Sequence, residues 1–173
     1  PHASKTDLDN ALQASAEGFS VWRNIPPLQR QSIMEKAARL MEDRIEEIAK
    51  NLTMEMGKPL AEAKVELGFV IDATRWYAEE GKRAYGRLVP SRIPGVRQMV
   101  TKEPVGPACA FVAWNFPGTN VIRKVAGALG AGCSMLIKPS EETPGTAVAL
   151  ARCFQDAGLP PGVLNIVFGI PDE

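Results

Sequence analysis

From Pro107 onward the chain alternates short, continuous apolar runs with stretches of helical periodicity, and this alternation restricts the fold more than any other feature. Residues 108–113, 134–137 and 163–168 read as strands. Between them lie helix-like segments, one over 119–129 ending at Gly130-Ala131-Gly132, the other opening at Thr143-Pro144 and ending at Gly158. Strands joined through helices of this length pair in parallel by right-handed crossovers. Apolar runs without alternation are expected of strands buried on both faces. The spacing therefore predicts an α/β fold containing the first βαβαβ half of a Rossmann-like parallel sheet. In such a sheet ligands bind in the crevice beyond the carboxyl ends of the strands. Two polar motifs lie at such ends: Ala113-Trp114-Asn115-Phe116-Pro117 and Lys138-Pro139-Ser140-Glu141.

Residues 1–86 read as helical. Asp7 is placed to cap a helix carrying Leu8, Ala11, Leu12, Ala16 and Phe19 at helical spacing. Pro26-Pro27 opens a longer helix, proline being tolerated in a first turn. Its apolar stripe runs through Ile33, Met34, Ala37, Met41, Ile45, Ile48 and Leu52, with the charged residues largely off it. Gly57-Lys58-Pro59 breaks the pattern. A third helix reaches to about Tyr85, with Leu67, Val70, Ile71, Thr74 and Tyr77 facing inward. Trp22, Trp76 and Tyr77 all fit helix-core positions. At residues 87–102 short alternating segments flank Pro94-Gly95 and predict a hairpin outside the helical core. An edge hairpin of this kind can serve as an oligomer contact; a crossover loop between two halves of the domain is the alternative. The chain thus divides into a helical part (1–86), a bridging or oligomerisation hairpin (87–102) and a Rossmann-like half (103–173).

Bulk composition narrows the function. Lysine plus arginine and aspartate plus glutamate balance at twenty each over 173 residues, so no global field draws the chain to nucleic acid or an anionic membrane. No apolar run approaches the roughly 18 residues of a membrane span, and no signal-peptide pattern opens the chain. Cys109, Cys133 and Cys153 are odd in number and embedded in apolar sequence. They read as small buried hydrophobes of a reducing, cytoplasmic compartment, neither a disulfide framework nor a metal site. A start at Pro1 and a stop directly after a strand-like run are the expectation for a piece of a longer protein.

The motifs carry specific chemistry. Asn115 follows a buried strand, where a side-chain amide can donate to an oxygen that gains charge as a carbonyl is attacked. The same position also suits capping of the next helix. Glu141 at the end of the second strand can accept from ribose hydroxyls and repel a 2′-phosphate, the logic that selects NAD over NADP. Lys138 can donate to the same ribose or to phosphate. A solvated Lys/Glu pair with Ser140 or Thr143 as a cap is the other reading. No G-x-G-x-x-G follows the first strand, which argues against a standard Rossmann dehydrogenase. Arg123, eight residues past Asn115, projects from the same helical face as Thr119 and is suited to bidentate capture of a carboxylate; a surface arginine beside Lys124 is the alternative. His2 is terminal and offers no general base. No cysteine sits in the electropositive, polar setting of a nucleophile.

Four motifs in sequence then resemble the NAD(P)-dependent aldehyde dehydrogenase superfamily: Glu103-Pro104-Val105-Gly106, Trp114-Asn115-Phe116-Pro117, Lys138-Pro139-Ser140-Glu141 continued by Thr143-Pro144, and Ala157-Gly158-Leu159-Pro160 continued by Gly162-Val163 and Asn165. Met56-Gly57-Lys58-Pro59 resembles the same family. The resemblance implies that Asn115 is the oxyanion-hole amide for a thiohemiacetal. It implies that Val112, Ala113 and Trp114 line the cofactor through backbone contacts, and that Lys138 and Glu141, with Ser140 nearby, hold the adenosine ribose. Family members bind their dinucleotide without G-x-G-x-x-G. Ala113 stands where the family usually has proline.

The resemblance further implies that the catalytic cysteine, the general-base glutamate and a pyrophosphate-side turn come later than residue 173, so that this portion alone is inactive. Ile122-Arg123-Lys124 and Glu79-Glu80-Gly81-Lys82-Arg83 resemble the succinate-semialdehyde branch, in which an arginine at this offset grips the distal carboxylate. The expected parent is a homodimeric or homotetrameric enzyme acting on an aldehyde or semialdehyde with NAD, or NADP. A CoA-acylating member of the superfamily and a non-catalytic binding module are the alternatives.

Overall fold

The structure, a computed structural model, describes residues 2–169; the last positions of the Rossmann-like half, 170–173, lie outside the described residues. The first helix, α1 (Lys5–Trp22), starts earlier than Asp7. The Ser4 hydroxyl accepts from the Asp7 N–H at 3.2 Å and the Asp7 carboxylate accepts from the Ser4 N–H at 2.8 Å. The two residues form a reciprocal capping box, and the Ser4 hydroxyl and N–H hold the Asp7 carboxyl below its ordinary value. The buried face of α1 is also not the one its leucines mark. Ser15, Gly18 and Trp22 face inward, while Leu8 and Leu12 are exposed. Small residues win because the helix lies backbone to backbone on the loop at Gly162: a Cβ at Gly18 would stand 2.2 Å from the Gly162 carbonyl carbon. Trp22 is fully buried and donates its indole N–H to the Leu129 carbonyl at 2.9 Å.

The second predicted helix is two, α2 (Pro27–Asp43) and α3 (Ile45–Met56), parted at Arg44 with φ −103° and ψ 10°. The change of direction turns Ile48 and Leu52 into the core and sets the Arg44 guanidinium 2.6 Å from the Asp156 carboxylate. Gly57, at φ +77°, ends α3 in the left-handed conformation that favours glycine. Then comes α4 (Leu60–Glu80), closing in a 3₁₀ turn over Gly81–Arg83. The hairpin expected at 87–102 forms from β1 (Arg87–Pro90) and β2 (Arg97–Val100), antiparallel, with Leu88 opposite Met99. Pro94-Gly95 makes its turn: the Val96 N–H reaches the Ile93 carbonyl at 3.2 Å and Gly95 takes φ +78°, as a type II turn requires at that position. Every residue of β2 is exposed.

The Rossmann-like half contains β3 (Ala108–Phe111), α5 (Pro117–Ala131), β4 (Met135–Lys138), α6 (Pro144–Ala157) and β5 (Leu164–Ile166). Its strands are parallel in the order β3-β4-β5. Only the central strand meets the expectation of burial: Met135, Leu136 and Ile137 are buried. The outer strand β3 alternates between half-buried Ala108 and Ala110 and exposed Cys109 and Phe111. Cys109 is therefore not the buried hydrophobe its sequence context implies, whereas Cys133 and Cys153 are buried.

The core is continuous from α2 and α4 through α5 to α6 and the sheet. Helices α4 and α5 touch at their backbones: a Cβ at Gly130 would lie 2.5 Å from the Tyr77 carbonyl oxygen. The obstacle is main chain, so no rotamer change relieves it. Gly130→Ala should lower stability by about 1–3 kcal/mol, the usual cost of overpacking a tight contact. Urea denaturation checks this through a lower midpoint.

Candidate active site

Register brings the two polar motifs together. Ala108 of β3 aligns with Met135 of β4 and Phe111 with Lys138, and the Val112 N–H still bonds the Lys138 carbonyl at 3.2 Å. The strands thus end level, and the 112–116 and 139–141 segments leave the same sheet edge side by side. Val112 is half-buried, while Ala113 and Trp114 are exposed, leaving their backbone open to a ligand at that edge.

Neither motif caps its following helix. Phe116 and Thr143 occupy the N-cap positions of α5 and α6, and neither side chain makes a capping bond. The caps come from the helical first half. Glu66 of α4, only 3% exposed, accepts through Oε1 from the Gly118 N–H at 2.9 Å and the Thr119 N–H at 3.1 Å. Its other oxygen pairs with the Lys58 ammonium. Glu55 of α3 accepts from the Gly145 N–H, from the Thr146 N–H at 3.0 Å and from the Thr146 hydroxyl at 2.7 Å. A carboxylate at a helix N-terminus meets both unsatisfied amides and the positive end of the dipole. Both termini are therefore already filled, and a dinucleotide phosphate could use neither without displacing a glutamate.

Freed from capping, Asn115 has another neighbour. Its Oδ1 accepts from the Asn120 Nδ2 at 3.1 Å, and Asn120 also reaches the Ala113 carbonyl at 3.3 Å. With its carbonyl oxygen so engaged, the Asn115 side chain has its NH₂ without a hydrogen-bond partner among the described residues, a donor of the kind that can serve a developing oxyanion.

Asn120 also lines an open groove of ≈ 790 Å³ between α4 and α5. Phe69 and Trp76 of α4 form one wall, with Phe116, Thr119 and Arg123 across from them. Trp76 is 64% exposed, so it is a wall of this groove and not a core residue. It falls one position outside the inward stripe of Thr74, Tyr77 and Ala78. Arg123 shares the groove with Thr119, as its spacing predicts, and among the described residues it makes no salt bridge. Asp72 and Glu62 bring negative charge to the same groove.

At the other end of the motif pair, the Lys138 ammonium bonds the Glu141 carboxylate and holds Glu141 below the ordinary glutamate value. Ser140 is nearly buried and donates to Glu142, whose carboxyl is lowered by that bond. The serine is thus turned to its neighbour, and the charged pair is what faces outward. An ammonium donor next to a carboxylate acceptor fits a ribose diol, so the residues present suit the nucleoside end of NAD. Two of the cysteines are withdrawn from solvent: Cys133 and Cys153 are buried, and burial pushes the Cys153 thiol up, whereas Cys109 is exposed on β3. Among the described residues no cluster of ligating side chains could hold a metal, and no helix is long and apolar enough to cross a membrane.

Two polar motifs at the carboxyl ends of adjacent parallel strands, one of them carrying a Lys–Glu pair, mark an α/β sheet of the class whose ligands bind at strand ends. Residues 1–173 match the aldehyde dehydrogenase family, and the chain belongs to it. Over 99% of its length it is 44% identical to a 4-(hydroxymethyl)benzenesulfonate dehydrogenase of Comamonas testosteroni, of which it covers 36%. It is 40% identical, over 98% of its length, to the NADP-dependent succinate-semialdehyde dehydrogenase of Escherichia coli, covering 35% of it. The structure of a succinate-semialdehyde dehydrogenase from Burkholderia pseudomallei superposes with a TM-score of 0.97 at 38% identity, over 99% of this chain and 36% of that one. The chain therefore spans about a third of the length of these relatives. The family resemblance and the α/β expectation both hold.

Sequence patterning passed over Lys58, Glu66, Glu55 and Asn120. A signal existed for Glu66: it falls among Ala63, Leu67 and Val70 on the buried stripe of α4, where an unpaired carboxylate would not persist. Glu66→Ala would leave Lys58 without its partner and two helix amides without acceptors. Chemical denaturation should register a loss of about 3–5 kcal/mol, as for breaking a buried pair from one side.

Proposed function

We propose that this chain is the nucleoside-binding and substrate-entry portion of an enzyme that oxidises an aldehyde carrying a distal anionic group, succinate semialdehyde or a related semialdehyde, to the carboxylic acid with NAD or NADP. The observation that carries this reading is the grouping at two adjacent strand ends. Asn115 follows β3 and is hydrogen-bonded to the groove residue Asn120, Arg123 lines that groove and makes no salt bridge among the described residues, and Lys138 with Glu141 forms a ribose-type pair at the end of β4. Relatives named for succinate semialdehyde and for a hydroxymethyl benzenesulfonate share a fixed negative group remote from the reacting carbon.

In this reading the Asn115 NH₂ donates to the carbonyl oxygen as a nucleophile adds, and Asn120 keeps that amide turned the right way. Arg123 holds the far anion, against the opposing charge of Asp72. Lys138 and Glu141 orient the adenosine ribose, with Val112, Ala113 and Trp114 offering backbone beside it. Bound NAD would supply the hydride acceptor. In this reading the nucleophile and the general base come from segments outside residues 1–173. The hairpin of β1 and β2, exposed throughout its second strand, serves as a contact between subunits.

The test uses the full-length protein with succinate semialdehyde and with butanal, a neutral aldehyde of similar length. Asn115→Ala should lower kcat roughly 10²- to 10³-fold for both, the cost of removing one oxyanion donor. Arg123→Ala should raise KM roughly 10- to 100-fold for the semialdehyde only, as loss of a charge-assisted contact implies, and Asp72→Asn should lower it. Equal efficiency of the two aldehydes, or an unchanged KM in Arg123→Ala, removes the anionic substrate class.

Cofactor choice has its own measurement. Glu141 opposes a 2′-phosphate, so NAD should bind tighter than NADP, and Glu141→Gln should narrow the gap. Because Lys138 lowers the Glu141 pKa below 4.5, the carboxylate stays ionised as the medium is acidified from neutrality. The preference should therefore narrow first as the 2′-phosphate takes up its second proton, at about pH 6, and through Glu141 only at lower pH, as calorimetric titration would show.

A further inference from the structure

We propose that Lys58 is a positioning residue for the reacting end of the groove, acting through the ring of Phe116 and the carboxylate of Glu66 to hold Asn115 in place. The proposal rests on the reading that Asn115 donates to the aldehyde oxygen.

Lys58 lies in the short connection between α3 and α4, where its sequence context marks only a helix break. Its side chain is 10% exposed and meets two partners. One is Glu66, the cap of α5. The other is Phe116, with the ammonium 4.2 Å from the ring centroid. A cation over an aromatic face at that distance is attracted by the ring quadrupole, and more strongly where water is excluded.

Phe116 directly follows Asn115 and is the non-helical N-cap residue of α5, with φ −139° and ψ 73°. Its carbonyl accepts the first helical bond, from the Asn120 N–H at 2.8 Å, but its dihedrals are non-helical, so its orientation also depends on what holds its ring. Lys58 pins its ring, Glu66 pins the next two amides, and Asn120 holds the Asn115 carbonyl. The segment from Asn115 to Thr119 is fixed on three sides.

The second cap in the same fold is built differently. Glu55 closes α6 with three hydrogen bonds and, among the described residues, no salt bridge. Glu55 is half-buried and Glu66 almost fully buried, so Lys58 compensates a buried carboxylate and, from the same position, reaches the Phe116 ring. The lysine is found at the cap that borders the groove, and it is shared with the aromatic residue adjoining the proposed oxyanion donor. A misplacement of about 1 Å at such a donor can cost 10²-fold in rate.

The experiment is a mutant cycle in the full-length enzyme, with kcat, both KM values and melting temperature measured for each variant. Lys58→Met should lower kcat roughly 10- to 100-fold with aldehyde and cofactor KM within threefold, because alignment and not affinity is lost. Lys58→Arg, which keeps both the ion pair and the stacking, should restore kcat to within roughly threefold. In an Asn115→Ala background Lys58→Met should change kcat less than roughly threefold, because the group it positions is gone. If Lys58→Met does not fold, Phe116→Leu replaces it, since that change leaves the ion pair and cap intact. Its kcat loss should likewise vanish in the Asn115→Ala background.

A kcat within twofold of the parent, a fall in melting temperature alone, or the same loss with and without Asn115 overturns the proposal. Full activity of Asn115→Ala overturns the functional reading beneath it. That arm is scored without reference to Lys58, so the two failures are told apart.

Discussion

The placement of two glutamates at the amino ends of α5 and α6 is the constraint on which the site depends. A helix that begins beside a sheet edge has amides with no acceptor, and in many nucleotide-binding sheets a phosphate fills that need. Here Glu66 and Glu55 fill it from α4 and α3, with oxygens within 3.1 Å of the amides. The helical first half is thereby tied electrostatically to the sheet half, and the loops that leave β3 and β4 are relieved of capping. Asn115, Lys138 and Glu141 keep their polar ends for something else. The missing glycine-rich turn and the internal caps are two aspects of one arrangement: carboxylates occupy the amides that such a turn would aim at a phosphate.

Close backbone contact makes that arrangement possible. For a carboxylate on α4 to reach the first turn of α5, the helices must lie nearer than bulky side chains permit. Gly130 against Tyr77 achieves this at one end, and Gly118 lies against Val70 and Glu66 at the other. The same approach shapes the groove. Residues on the near side of α4 are buried against α5, so Phe69 and Trp76 are left facing outward over Phe116 and Arg123.

Much of the fold was legible because periodicity is a local property. The strand–helix alternation after Pro107, the Pro-Gly hairpin turn and the glycine ends of α3, α5 and α6 all follow from short-range rules. What failed depended on partners distant in sequence. Leu8 and Leu12 made the stronger stripe on α1, yet the chosen face was Ser15, Gly18 and Trp22, because a backbone at Gly162 required small residues. Cys109 lies in an apolar run and is exposed, because β3 is an outer strand among the described residues and burial depends on neighbours. Within the site, Asn115, Arg123, Lys138 and Glu141 stood out because polar residues after apolar runs are conspicuous. Glu55, Glu66 and Lys58 did not, because what each one does is decided by helices that come 50 to 90 residues later. Asn120 was hidden by its ordinary place in a helical run.

The long span between each cap and its helix also has a meaning in time. Translation delivers Glu55 and Glu66 well before Gly118 and Gly145. When α5 and α6 emerge, the acceptors for their first turns have already been synthesised, and each new helix meets a docking point that is both a charge and a pair of directed hydrogen bonds. The order of residues along the chain thus becomes an order of assembly, in which the older half of the chain serves as the template on which the younger half starts its helices.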